Sequence, residues 1–148
     1  MSHTYRWTAV VAMVACSITV GGCKPKGVKA SESHKPAHVE AIEGSPLHRV
    51  TLTSRASERL DIKLTQVEDM VMGGVTRKVV PYGAVLYDVN GDTWVYTSPE
   101  PLVFVRHHIV VDYISGDRAV LSGGPPAGTK VVTVGAAELF GAEFEIGH

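Results

Sequence analysis

Two stretches decide the fold: VVPYGAVLYDVNGDTWVY (residues 79–96) and VVDYISGDRAVLSGGPPAGTKVVTVGAAELFGAE (residues 110–143). Each consists of short apolar runs separated by turn signals. Asn90-Gly91 between two apolar runs is the strongest short-range hairpin signal, because both residues tolerate the positive φ of a type I′ turn. Ser115-Gly116-Asp117 and the glycine- and proline-rich residues 123–128 predict two further turns. Short strands with frequent turns indicate a small, mainly β domain, either a β-roll or barrel-like.

The sequence from His48 to residue 81 continues this pattern and adds one short helix. Alternating apolar residues predict the strands, Ser54 is the expected helix cap, and Pro81 ends the last strand because it cannot donate to a central ladder. The expected elements are a strand around Val50 and Leu52, a helix through Leu60, and strands over residues 62–67 and 75–80, the last of them entered through a turn at Gly73-Gly74. Near the C-terminus, residues 136–140 are expected to make a final helical turn.

The N-terminus has the pattern of a bacterial lipoprotein signal. Arg6 precedes an uncharged apolar run, residues 7–20, which Gly21-Gly22-Cys23 follows in the manner of a lipobox. The run is shorter than the ~20 residues that a transmembrane helix needs, although an uncleaved anchor remains the alternative. We therefore predict a signal peptide over residues 1–22. The lipobox resemblance implies that Cys23 is acylated and tethers an exported protein to a bacterial membrane.

Residues 23–46 are polar and rich in Lys, Pro, Gly and Ser, which predicts a flexible linker. Residues 47–148 then form one small domain. The only other cysteine, Cys16, falls within the signal, so the exported part contains no disulfide. The chain carries 14 basic and 15 acidic residues with no basic patch, which argues against nucleic acid as a partner.

The apolar strands and glycine turns of the C-terminal half match a family pattern. The matching residues are Val80, Pro81, Ala84, Val85, Gly123, Gly124, Gly128, Val131, Val132, Gly135 and Leu139. In these positions the chain resembles the membrane-proximal domain of periplasmic adaptor (membrane fusion) subunits of RND-type efflux pumps, and residues 50–62 look like its opening in the metal-efflux subgroup. The family builds this domain from both ends of the mature chain, with a barrel, a lipoyl-like domain and an α-helical hairpin inserted between them. Here only residues 70–78 stand between the two halves.

The resemblance implies a docking role on an RND-type transporter or on a full-length adaptor subunit, with no cofactor. Trp and Tyr are favoured interface anchors, and Arg supplies a fixed fork of hydrogen-bond donors. The candidate docking residues are Tyr82, Asn90, Trp94, Tyr96, Arg106 and His108. Because Trp94 and Tyr96 share one face of a strand, they could equally belong to the core.

A periplasmic lipoprotein that binds Cu or Zn is the alternative function. Imidazoles and thioethers suit these metals, and the weak candidate ligands are His34, His38, His48, Met70 and Met72. They lack the fixed spacing of a closed metal site. His107 and His108 are adjacent on a strand and point to opposite faces, so they do not share an ion easily.

The sequence gives little support for an enzyme. The Asp88-x-Asn90-x-Asp92 spacing does not match a calcium loop, and Pro125 and Pro126 remove amide donors that a phosphate loop would need. The exported part has no nucleophilic cysteine and no Gly-x-Ser-x-Gly elbow. The carboxylates of Glu138, Glu143 and Glu145 look like a solvated end of the chain.

Overall fold

The structure is a computed structural model that describes residues 35–145. This part of the chain contains ten strands and two α-helices. In chain order they are β1 (Ala37–Ala41), β2 (His48–Leu52), α1 (Ser54–Arg59), β3 (Lys63–Gln66), β4 (Glu68–Met72), β5 (Val75–Pro81), β6 (Leu86–Tyr87), β7 (Thr93–Glu100), β8 (Val103–Ser115), β9 (Arg118–Gly123), β10 (Lys130–Val134) and α2 (Ala136–Glu145). A 3₁₀ turn, Tyr82–Ala84, follows β5.

All strand pairs are antiparallel, and the sheet curls into a half-barrel. The main path runs β3-β10-β7-β8-β9-β5-β4, while β2 also pairs with β8, β1 with β2, and β6 with β7. The predicted mainly β, barrel-like fold is therefore confirmed.

The long strand β8 connects the two halves of the sheet. Val103 to Val105 pair with both β2 and β7, whereas the part from Val110 onward pairs with β9. Register shifts interrupt the β8–β9 ladder on either side of Val111. Irregularities of this kind bend a strand and increase its twist, which here lets the sheet curl.

The middle of the sheet is buried on both faces. Tyr96 of β7 and Val132 of β10 face α1, α2 and the β1–β2 pair, while the neighbouring Val95 and Val131 face the hollow of the half-barrel. We call these two sides the helix-side core and the barrel-side core. The buried helix-side residues are Ala37, Val50, Leu52, Ala56, Tyr96, Phe104, Val132, Ala136 and Leu139. The buried barrel-side residues are Val67, Val80, Ala84, Val95, Ile109, Ala119, Leu121 and Val131.

The predicted hairpin at Asn90-Gly91 is confirmed, but its predicted turn type is wrong. Gly91 has φ +85° and Asn90 does not have a positive φ. Gly91 N donates to the Asp88 carbonyl (3.1 Å), and Asp88 N donates to the Asp92 carbonyl (3.0 Å). This arrangement is a three-residue loop with its glycine in the left-handed region, as in a hairpin with a G1 bulge. The Asp88 side chain stabilises it by accepting from Asn90 N and Asp92 N.

Part of the predicted flexible linker is a strand. Residues 37–41 form β1 and pair with β2 along its full length, from Ala37 opposite Leu52 to Ala41 opposite His48. Ala37 is buried, and Val39 packs against the helix-side core. The ladder to β2 satisfies backbone groups, so a strand with few large apolar side chains is sufficient here. The predicted signal peptide, Cys23 and His34 lie outside the described residues.

The helix cap and the strand turn predicted from local sequence lie within one residue of those observed. The cap of α1 is Thr53, whose Oγ1 accepts from Ala56 N (3.1 Å), and not Ser54. The connection between the two family-like halves is the β4–β5 hairpin, which turns at Gly73-Gly74 as predicted. Within residues 35–145, neither helix is long and apolar enough to cross a membrane.

Gly135 fixes the corner between β10 and α2. Its φ is +86°, a conformation that side chains disfavour. A Cβ at this position would overlap Ile62 and lie 3.3 Å from the Leu60 carbonyl. The glycine therefore lets the end of β10 pass close to the segment after α1 and directs α2 across the helix-side core.

Candidate functional site

The structure places four of the predicted docking residues on one face of the β7–β8 pair. Alternation places Trp94 with Tyr96 on one face of β7 and Arg106 with His108 on one face of β8. The strand pairing then joins these faces, because Trp94 is opposite His108 and Tyr96 is opposite Arg106. The α2 helix covers only part of the joined face, which divides the four residues into a buried pair and an accessible pair.

Tyr96 and Arg106 form the buried pair, with exposed fractions of 0% and 8%. Tyr96 packs in the helix-side core with Leu139, and the Arg106 guanidinium lies 5.5 Å from the Phe140 ring centroid. The prediction that both residues are exposed is therefore wrong, and Tyr96 occupies the core position that its strand face left open as the alternative. The two residues are buried because α2 covers them. This helix extends to Glu145 and is longer than the single helical turn expected over residues 136–140.

Glu143 holds the buried pair together. Its side chain is fully buried, and its Oε2 accepts a 2.5 Å hydrogen bond from the Tyr96 hydroxyl. Arg106 Nε lies 2.8 Å from the same oxygen, while His48 Nδ1 lies 3.4 Å from Oε1. The expectation of a solvated carboxylate at position 143 is wrong, whereas Glu138 is exposed as expected. A buried carboxylate needs such partners because desolvation disfavours its charge.

The Tyr96 hydroxyl is strongly perturbed by this environment. Burial, and then the hydrogen bond to Glu143 and the charge of that carboxylate, raise the pKa of Tyr96 far above its ordinary value; the nearby Arg106 charge opposes the shift. Tyr96 therefore stays protonated and acts as a donor to Glu143 at every physiological pH. The role of this cluster is structural: it attaches α2 to the sheet.

Arg106 has little hydrogen bonding for a buried guanidinium. Its Nε is close to Glu143, but the N–H is not directed at the carboxylate, and no acceptor within residues 35–145 takes a hydrogen bond from Arg106. Instead the guanidinium carbon lies 4.8 Å from the Trp94 ring centroid and 5.0 Å from that of Phe144. Aromatic faces attract a cation in this range.

Beside this guanidinium is a groove of about 550 Å³. It is lined by Pro46, Leu47, Asp88, Val89, Asn90, Trp94, Arg106, Phe140, Gly141 and Phe144. We call it the α2 groove. Val89 at the hairpin tip is 99% exposed and Phe144 is 48% exposed, so its rim presents apolar side chains to solvent. Asn90 and Trp94, both predicted as docking residues, belong to this rim.

Asp88 connects the hairpin to the α2 groove. Trp94 Nε1 donates to its Oδ2 (3.1 Å), in addition to the two backbone donors on Oδ1. Some desolvation works in the opposite direction, but the bonds from Asn90, Trp94 and Asp92, with the Arg106 charge, lower the pKa of Asp88. The carboxylate is therefore ionised and holds the Trp94 ring in place.

The remaining docking candidates lie on the surface around the β6–β7 hairpin. Tyr82 is 44% exposed and Tyr87 is 54% exposed. A side-chain hydrogen bond with Tyr82, then slight desolvation and the charge of Tyr82, raise the pKa of Tyr87, which indicates that the two rings are neighbours. His108 is exposed and packs edge-on against Trp94, with ring centroids 5.2 Å apart. The register places His108 on the Trp94 side of the sheet and Tyr87, which was not a docking candidate, on the Thr93 side. We call the exposed rim that Tyr82, Tyr87, Asn90 and His108 form around this hairpin the hairpin face.

The candidate metal ligands do not converge. His38 is bonded to Glu40 (3.2 Å) on the exposed strand β1, and His48 contacts Glu143. Met70 lies against Arg118, and Met72 against Tyr113. Within the described residues, no group of three or more His, Cys, Asp or Glu side chains is arranged to hold a metal ion.

The sequence reasoning missed the residues that α2 contributes, namely Phe140, Glu143 and Phe144. A usable signal was present: Ala136, Leu139 and Glu143 recur at helical spacing, which places a carboxylate on the apolar stripe of an amphipathic helix. A carboxylate on such a stripe predicts a buried, oppositely charged partner. In the structure this partner is Arg106 of β8.

No protein-family model matches the chain, and no curated protein matches it.

Proposed function

We propose that this protein is a lipid-anchored, extracytoplasmic accessory protein. It docks on an RND-type transporter or on a full-length adaptor subunit through a domain that resembles the membrane-proximal domain of the adaptors. The proposed anchor is Cys23, on the periplasmic side of a bacterial membrane. The protein acts by binding another protein and is not an enzyme.

The observation that carries this proposal is the way in which the two family-like halves combine. The first half contributes β2 and β3, which pair with β8 and β10 of the second half. Only the β4–β5 hairpin joins the halves where the larger adaptors carry inserted domains. Within residues 35–145 no inserted domain of the kind that reaches an outer-membrane channel is present, which favours an accessory role beside a complete pump.

The proposed docking surface is the hairpin face together with the Trp94 edge of the α2 groove. Exposed Tyr and half-exposed Trp side chains on a well-ordered hairpin are typical anchors of protein interfaces. The Asp88 hydrogen bonds hold the hairpin tip in one conformation, which lowers the entropy that binding must offset. Tyr96 and Arg106 contribute by positioning this surface from beneath.

In-cell photo-crosslinking of the full-length, lipidated protein tests the proposal. A crosslinking amino acid at Asn90 or His108 is expected to capture an RND transporter or a full-length adaptor, as identified by mass spectrometry. The matched control position is Val71, an exposed residue of β4 at the other end of the sheet. Capture of neither partner by a well-expressed protein, or equal capture from Val71, would contradict the proposal.

The anchor has its own test, because docking and lipidation can fail independently. Labelling cells with a palmitate analogue is expected to modify the wild-type protein and to leave Cys23→Ala unmodified. In the same cells Cys23→Ala should lose membrane fractionation while retaining a folded domain, since both cores consist of residues within 35–145. Labelling that persists in Cys23→Ala would refute the assignment of the lipid site.

A further inference from the structure

The hydrogen bonding of Arg106 points to a ligand. A guanidinium carries five N–H donors, and buried donors are normally paired. This one is 8% exposed, yet no acceptor within residues 35–145 bonds to it. Glu143 Oε2 lies 2.8 Å from Arg106 Nε and their opposite charges attract, but the Nε–H is not directed at that oxygen. Arg106 lines the α2 groove, so its terminal NH₂ groups can donate to an acceptor there.

The α2 groove gives such an acceptor access to Arg106. Arg106 is the only Lys or Arg among the described residues that line it, and most of the lining is apolar: Pro46, Leu47, Val89, Trp94, Phe140 and Phe144. Its volume of about 550 Å³ falls within the ~300–1,000 Å³ of typical small-molecule sites. A ligand that fits must have an apolar body and one group that accepts hydrogen bonds.

The charges favour an anionic head group over a cationic one. The Arg106 guanidinium lies over one face of each of the Trp94, Phe140 and Phe144 rings, and its positive charge repels a ligand ammonium group beside them. Asp88, the other charged residue of the lining, has both oxygens occupied by donors. The Asp88 carboxylate disfavours a second negative charge at the hairpin end of the groove. A ligand with a single anionic group, bound at Arg106, is therefore favoured.

We propose that the α2 groove binds a monocarboxylate with an apolar chain. The carboxylate accepts two parallel N–H bonds from Arg106, the geometry that guanidinium and carboxylate share. The chain lies along Leu47, Val89 and Phe144 and removes their apolar surface from water. This site goes beyond the proposed docking function, and either can hold without the other.

The test compares three probes with one chain length: octanoate, octanol and octyltrimethylammonium. The membrane-anchored protein is held in nanodiscs and is expressed with Trp7→Phe, so that Trp94 is its only tryptophan with or without the signal peptide. Trp94 fluorescence reports occupancy, and empty nanodiscs are the blank. Octanoate is expected to bind about tenfold tighter than the other two probes, which corresponds to one charge-assisted hydrogen bond. Equal affinity for the three probes, or no binding of octanoate, would overturn the proposal and leave the groove as an apolar protein-docking surface.

Variants locate the head group. Arg106→Gln should reduce octanoate affinity about tenfold and leave octanol unchanged, whereas the exposed control Arg118→Gln should change neither. Loss of Arg106 also removes a partner of buried Glu143 and can therefore disturb the core. A second pair of variants, at the exposed position 89, tests the head-group charge without changing the core. Val89→Glu should weaken octanoate and Val89→Lys should strengthen it, with the opposite order for octyltrimethylammonium; Val89 is 99% exposed, so both variants fold. If octanoate affinity is the same in the wild type, in the two Val89 variants and in Arg106→Gln, the site is refuted.

Discussion

The two cores of this domain lie back to back on the same strands and differ in chemistry. On β7, Val95 faces the barrel-side core and Tyr96 faces the helix-side core. The barrel-side core is entirely apolar and consists mostly of Val, Ile, Leu and Ala. The helix-side core contains Tyr96 and borders the buried Arg106–Glu143 pair.

This difference shows two ways of holding a sheet. The barrel-side core needs side chains of suitable volume, and it tolerates exchange among them as long as the volume is kept. The helix-side core depends on one particular arrangement, because loss of either charged partner leaves an uncompensated charge in a dry environment. The same arrangement determines where α2 lies and therefore forms the α2 groove.

Removing the carboxylate should have the largest effect. Glu143→Ala leaves Arg106 buried without its counter-charge and the Tyr96 hydroxyl without its acceptor, so the free energy of unfolding should fall by about 3–5 kcal/mol. Urea denaturation measures it. Glu138→Ala on the exposed side of α2 is the control and should change stability by less than ~0.5 kcal/mol. Equal losses in the two variants would remove the distinction between the cores.

Removing the hydroxyl alone should have the next largest effect. Tyr96→Phe keeps the ring in the core and deletes the hydrogen bond to Glu143, which should cost about 1.5–3 kcal/mol, as is usual for a bond to a charged group. The same denaturation experiment applies, with Tyr82→Phe at the exposed hairpin face as the control. A Tyr96→Phe variant as stable as the wild type would show that Glu143 is satisfied by Arg106 and His48 alone.

The helix-side core should also make stability fall at alkaline pH. In the unfolded chain Tyr96 ionises near its ordinary pKa of ~10, whereas in the folded protein its raised pKa keeps the proton bound. The unfolded state therefore binds fewer protons above pH ~10, and stability declines by about 1.4 kcal/mol per pH unit from this residue. Denaturation at pH 9, 10 and 11 should show a shallower decline for Tyr96→Phe than for the wild type. Parallel declines would contradict the assignment.

A conservative change in the barrel-side core should have the smallest effect. Ile109→Val removes one buried methyl group and leaves no polar atom unpaired, so it should cost about 0.5–1.5 kcal/mol. Val110→Ala, at the exposed neighbouring position, is its control. A loss as large as that of Glu143→Ala would show that the barrel-side core is as specifically constrained as the helix-side core.

Most of the strands could be predicted from the sequence because their signals are local. Alternation gives the shared face of Trp94 and Tyr96 and that of Arg106 and His108, and Gly91 and Gly73-Gly74 give the hairpin turns. The predicted type of the Asn90-Gly91 turn was wrong. The conformation of this turn depends on the Asp88 side chain, which accepts hydrogen bonds from two backbone amides of the loop.

The helix-side core could not be read in the same way, since its decisive contacts join residues far apart in sequence. Which half of the β7–β8 face is covered depends on the length and direction of α2, and these depend in turn on the Gly135 corner and on Glu143 finding Arg106. β1 was missed for a related reason: residues 37–41 have little apolar character of their own, and their order comes from the ladder to β2.

The attachment of α2 has a consequence for the time course of folding. Glu143 is 95 residues from His48 and 47 from Tyr96, so the ion cluster closes only after a large part of the chain has been synthesised. Contacts with such sequence separation form late, since the chain must first lose loop entropy. Until α2 arrives, the face that carries Tyr96 and Arg106 is uncovered, and transiently exposed apolar surface of this kind promotes aggregation. A newly made chain therefore exposes this face for a time, and a holding chaperone could bind it there. The exposure ends when α2 packs onto the sheet.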